Sequence, residues 1–272
     1  MRKCFLLLFL SVLLVFSFHV TAQEEENDDS AAEIEDVREF YYDGTKQIEG
    51  QIRNGEKHGI WKEWYPDGKM KSEQEYENGI KQGVWKEWYE DGTEKSKIEY
   101  KDDQFDGTCV EWYENHQLKF RRIYREGVPE GRWTEYDEDG NQTRVATFYD
   151  NGEPQLEIEF QYTGEGTTKV QKEWYENGNQ RLEQEMKNDR RHGSYKEWFE
   201  NGNLSIDSQY SDGQEDGVHR DYYENGNIRM EIEMSRGQKN GREAFWDENG
   251  IKKWIKVYVD GQYIRTEPVY EQ

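Results

Sequence analysis

The sequence predicts an all-β protein, an elongated solenoid-like array of antiparallel β-hairpins forming a twisted open sheet. Three observations carry that prediction. Glycines recur in three columns at steps of 24 residues. Between them, apolar and polar residues alternate with period two, the pattern of a strand with two chemically different faces. The apolar content is also aromatic: all 10 Trp and 19 Tyr stand after residue 22, against only four leucines, too few for a helical bundle.

The order of elements begins with a leader. Met1-Arg2-Lys3 is a positive start, Phe5 to Phe18 is apolar apart from Ser11 and Ser17, and Val20-Thr21-Ala22 offers small residues for cleavage. That plan predicts a signal peptide over 1–22 and an exported chain, periplasmic, in the cell envelope or secreted. The apolar run falls short of the roughly 20 residues that span a bilayer. Cleavage leaves Cys109 alone, so an internal disulfide is excluded. Cys109 stands in a column with Trp61, Trp85 and Trp133, which predicts a buried thiol. Residues 23–38 read as an acidic disordered tether; with Glu39 the stretch carries nine carboxylates against one arginine.

Residues 39–264 hold the repeat, and 265–272 are left as a C-terminal tail. The first glycine column contains Gly44, Gly68, Gly92, Gly140, Gly178, Gly202, Gly226 and Gly250, with His116 in the fourth place. Asp or Asn precedes each glycine, which predicts hairpin turns whose two central residues both take positive φ. At Asn115-His116 the prediction is a strained or differently shaped turn. The second column contains Gly59, Gly83, Gly107, Gly131, Gly193, Gly217 and Gly241; the third contains Gly55, Gly79, Gly127, Gly213, Gly237 and Gly261. Four residues before each first-column turn stands an aromatic: Phe40, Trp64, Trp88, Trp112, Tyr136, Trp174, Trp198, Tyr222 or Trp246. Stacked on neighbouring strands, this column of nine is predicted to be core.

The period slips once. Gly140 to Gly178 spans 38 residues instead of 24, with Asp150-Asn151-Gly152 inside. The irregular segment at 141–170 predicts one extra strand and a change of direction in the array.

The unit Gly59, Trp61, Trp64, Tyr65, Gly68, Tyr76, Gly79 resembles the MORN repeat, in the bacterial variant of the YwqK-type antitoxin-like family. The likeness covers residues 39–264. It implies a twisted sheet of successive hairpins, and it brings lipid binding, dimeric scaffolding and antitoxin action as functions of relatives.

The composition bounds the chemistry. With 59 acidic and 36 basic residues the formal charge is −23, which argues against nucleic acid and against anionic membrane surfaces as partners. No Ser-His-Asp arrangement, phosphate-binding loop or zinc spacing is present, so no catalytic residue, metal ligand or cofactor is assigned and the chain reads as a non-enzyme. Of the four histidines after the leader (His58, His116, His192 and His219), His58 and His192 share a turn column and read as solvated turn residues. The one candidate surface is a glutamate stripe predicted to run along a single face. Glu73, Glu75, Glu183, Glu185, Glu231 and Glu233 are its partner-binding candidates, and a cationic protein is the partner it would take. The reading is an exported, non-enzymatic repeat scaffold for protein–protein or cell-envelope interaction. The alternatives are an antitoxin or immunity protein that neutralises a toxin, and a carbohydrate- or calcium-binding envelope module. Aromatics off the columns (Tyr42, Phe105, Tyr162 and Tyr263) are where a sugar platform would show.

Overall fold

The structure, a computed structural model, describes residues 33–269. The leader at 1–22, most of the acidic tether and the last three residues lie outside the described residues. Twenty-one strands, β1 (Ile34–Phe40) to β21 (Gln262–Glu267), form one open sheet in which every pairing is antiparallel, and the described residues contain no helix. Each strand pairs with the next in sequence. The exception is β16 (Gln214–Glu215) and β17 (Gly217–Tyr222), which share β15 (Leu204–Ser211) as partner. β1 pairs with β2 (Lys46–Arg53), so residues 34–38 belong to the array and the expected tether ends before them. At the other end β21 carries the array through Glu267, past the expected limit of 264.

Two kinds of turn alternate. The third-column turns are two-residue hairpins with both central residues left-handed, as at Asn78 (φ 49°) and Gly79 (φ 80°). This is the primed turn that suits strand twist. The first-column turns are different, which corrects the sequence prediction. Gly68 (φ 85°) is left-handed but Asp67 is not. Gly68 N donates to Tyr65 O at 2.9 Å, Tyr65 N donates to Lys69 O at 2.8 Å, and Asp67 Oδ1 accepts from Lys69 N at 3.0 Å. A register shift follows between Glu63 and Trp64. That is a type I turn closed by a glycine bulge, with the aspartate acting as an acceptor. His116 takes φ 68° and keeps the same backbone bonds, so the turn holds its shape there.

The segment 141–170 is regular. β10 (Gln142–Phe148), β11 (Pro154–Thr163) and β12 (Gly166–Trp174) are three strands where other repeats have two. One added strand reverses the parity of the meander, so the sheet goes on growing in the same direction while the repeat turns over. The register shows it. Directly opposed residues in an antiparallel pair share a face. One row runs Trp85–Ile98–Cys109–Arg122, then Trp133–Ala146–Glu157–Lys172–Glu183–Lys196–Asp207. The row on the other face runs Lys62–Glu73–Lys86–Lys97–Val110–Arg121–Thr134–Val145–Ile158–Gln171–Gln184–Tyr195. Each row is hydrophobic in one half of the array and charged in the other.

The buried column is Trp61, Cys109, Trp133 and Tyr195, three residues before the aromatics expected to be core. Those nine are half-buried or, at Phe40, 56% exposed, because they stand at the bulge beside the turn, where fewer neighbours cover them. Cys109 is buried and free, as expected, and burial pushes its thiol up to about 11. In the first half seven rings from Tyr76 to Phe148 follow one another with centroids 4.5–5.1 Å apart. Phe105 is one of them although 37% exposed, so it belongs to the packing, whereas Tyr42, Tyr162 and Tyr263 are more exposed.

Candidate interaction faces

The six candidate glutamates do not share a face. Glu73 and Glu75 lie on one side of the sheet, and Glu183, Glu185, Glu231 and Glu233 on the other, because the added strand turns the second half over. Nor do they form an acidic stripe. Glu73 stands between Lys62 and Lys86, with Lys62 Nζ at 3.4 Å. Glu183 stands between Lys172 and Lys196, and Glu231 accepts from Arg220 Nε at 2.7 Å. Such exposed cross-strand pairs offset the repulsion of a glutamate ladder while each adds little stability of its own.

The other three lie against glycines of the second column, all of which have positive φ. A Cβ built on Gly83, Gly193 or Gly241 would fall 2.0–2.2 Å from a carboxylate oxygen of Glu75, Glu185 or Glu233. These glutamates lie across the glycine backbone, where any larger residue would displace them. Half of the predicted partner face is therefore occupied by the fold's own packing.

On the hydrophobic faces cations cover several of the aromatic rings. Lys57 Nζ sits 4.5 Å from the Trp61 ring and 4.9 Å from Tyr76, Lys81 sits 4.4 Å from Trp85 and 4.8 Å from Tyr100, and the Arg191 guanidinium sits 4.4 Å from Tyr195. These contacts use the ring quadrupole and the aliphatic stem together. At the next repeat the chemistry is exchanged: Glu215 stands where Arg191 does, and His219 stands where Tyr195 does. His219 Nδ1 is 3.0 Å from Glu215 Oε1 and Nε2 is 3.1 Å from Asp221 Oδ1. Ser208 Oγ and Tyr210 OH also donate to Glu215 Oε1, both at 3.1 Å, and Arg229 bonds the far oxygen of Asp221 at 3.0 Å.

The hydrogen bond to Asp221, with the field of Glu215, raises the His219 pKa against the opposing effect of burial. Burial works against the Asp221 charge, yet the bonds from His219 and Arg229 hold its pKa below the ordinary value. Sequence reasoning gave His219 no role and so missed this cluster. The available signal was its place three residues before Tyr222, in the column of Trp61 and Cys109. Among the described residues no group of His, Cys, Asp and Glu is arranged to hold a metal ion.

No curated protein matches the chain. A solved structure described as a crystal structure of TcdB2-TccC3 aligns at 10% identity and a TM-score of 0.20, covering 85% of this chain. The chain spans 15% of the length of that one. Residues 57–78, 81–102, 191–212 and 215–235 match the family model of the MORN repeat variant. Two MORN-variant matches therefore stand before the added strand and two after it.

Proposed function

We propose that this chain is a non-enzymatic repeat scaffold that acts outside the cytoplasm, its sheet docking another protein of the cell envelope. MORN repeats are modules of protein or membrane interaction. The observation that carries the reading is that the sheet of residues 33–269 is a single layer. Its faces are each half aromatic and half charged, and no second layer of described residues covers either one. Strands of this kind offer a broad surface with few convergent groups, which suits macromolecular docking better than turnover of a small substrate. Export rests on the leader at 1–22. A cationic partner for the glutamates is disfavoured by their neutralisation within the ladder. The test is affinity capture from envelope extracts with the chain beginning at Gln23. Enrichment of a defined protein supports the scaffold; recovery of none, alongside an intact leader on the native protein, contradicts it.

A further inference from the structure

The charge ladder that neutralises itself in the second half of the array does not do so in the first. From Glu157 the row alternates strictly: Lys172, Glu183, Lys196, Asp207, Arg220, Glu231. The equivalent row on the first half begins the same way, Arg38, Glu49, Lys62, Glu73, Lys86, and then fails. Lys97 stands directly opposite Lys86, Val110 follows, and Arg121 comes next. Lys97 and Arg121 occupy the places held by Glu73 and Glu183 in other repeats. Both are exposed, and in the register neither faces a carboxylate: Lys97 lies between Lys86 and Val110 and Arg121 between Val110 and Thr134, whereas Lys86 keeps Glu73 on one side. The neighbouring Lys95 and Lys119 are already taken, by Glu87 at 2.9 Å and Glu111 at 2.5 Å. Glu99, two residues beyond Lys97, lies against Gly107 on the next strand. Directly opposed like charges destabilise a sheet, so the free chain carries a cost here that an anion would relieve.

We propose that this interrupted ladder, across β5 (Ile80–Trp88), β6 (Glu94–Lys101), β7 (Gln104–Trp112) and β8 (Leu118–Arg125), is the docking site for an extended acidic segment of a partner protein. The proposal rests on the scaffold reading and names its partner's chemistry. In a chain of net charge −23 a local run of uncompensated cations is selective for anions because the surrounding field repels them elsewhere. Strands are about 4.8 Å apart, so Lys86 and Arg121 lie about 14 Å apart across three steps. An extended peptide presents every second side chain on one side at about 6.6 Å, so three alternate carboxylates cover about the same span. Val84 and Ile123 flank the cations on the same face and can cover the aliphatic parts of such a segment.

The test uses the full chain from Gln23 and a labelled peptide of alternating Glu and Ala. Binding at low salt should weaken about tenfold or more in a Lys97→Glu, Arg121→Glu double variant. A Lys172→Glu, Lys196→Glu variant changes the net charge equally on the self-neutralising ladder and should bind as the parent does. Circular dichroism confirms that both variants keep the sheet. Equal loss in the two variants, or no binding by the parent chain, overturns the site. Tighter binding of phosphatidylglycerol vesicles or of a sulfated polysaccharide through Lys97 and Arg121 overturns the acidic-peptide assignment. If envelope capture yields a partner whose binding survives the Lys97 and Arg121 reversals, the scaffold reading stands and this site falls.

Discussion

Single residues in this sheet do work that their neighbours in the repeat reveal. Trp133 is 9% exposed, sits between the rings of Tyr124 and Phe148, and donates from Nε1 to Ile123 O at 2.9 Å. Replacing it with alanine is expected to cost about 3–5 kcal/mol, and the same change at half-buried Trp198 about half as much; urea unfolding of the two variants measures the difference. Gly50 has ordinary φ, but a Cβ there would lie 2.3 Å from Trp61 Cδ2. Gly50→Ala should therefore destabilise the first repeat, and Trp61→Ala should cost less in that background than alone, a coupling that a double-mutant cycle reads directly. At His219 the sign of the pH effect follows from its raised pKa. A group raised on folding contributes its full stability below the unfolded value of about 6.5 and loses it as pH rises through the folded value. Stability should thus fall on raising the pH from mildly acidic through neutral, with Asp221, Glu215, Arg229 and Tyr210 as the groups facing the ring. His219→Gln should flatten that dependence in unfolding midpoints measured across the range.

Between elements, the hairpins are tied by a second ladder along their turns. Tyr65 OH donates to Trp88 O at 2.7 Å, Tyr89 OH to Trp112 O at 2.7 Å, Tyr175 OH to Trp198 O at 2.8 Å and Tyr223 OH to Trp246 O at 2.8 Å. Asn201 and Asn203 add bonds to Glu224 O at 2.9 and 2.7 Å, joining one turn to the next. The rung is missing at Phe199, which has no hydroxyl to reach Tyr222 O. Phe199→Tyr should therefore stabilise the array by about 0.5–1.5 kcal/mol, a gain seen in the thermal or urea midpoint. Much at this scale was legible in the sequence. Glycine columns located the turns, and alternation located the strands, because both are dictated by local backbone chemistry. Turn type was misassigned, since Asp67-Gly68 and Asn78-Gly79 look alike as dipeptides and differ only in the bulge that follows. The core column was misplaced for another reason. The more buried position holds Trp61, Trp85, Cys109, Trp133, Gln171, Tyr195, His219 and Glu243, aromatic in only half of the repeats, whereas the uniform aromatics lie at the half-covered turn end.

Across the whole sheet, the added strand decides which surface meets a partner. The slip at 141–170 was visible as a break in period, but its consequence was not. A glutamate column read as one stripe is split between two faces because parity depends on counting strands, and only the register counts them. The same repeat thus presents its aromatic side outward in one direction from Trp61 to Trp133 and in the opposite direction from Tyr195 onward. Cross-strand cysteine pairs test this most directly, in a Cys109→Ala background under mild oxidation, since a disulfide forms only between side chains on one face at Cα separations of about 4.4–6.8 Å. Glu157→Cys should cross-link with Ala146→Cys and, in a separate variant, with Lys172→Cys, while Ile158→Cys with Lys172→Cys should stay reduced. A bond between positions 158 and 172, with none between 157 and 172, would place Lys172 on the face of Lys86 and Thr134 and contradict the turned-over array.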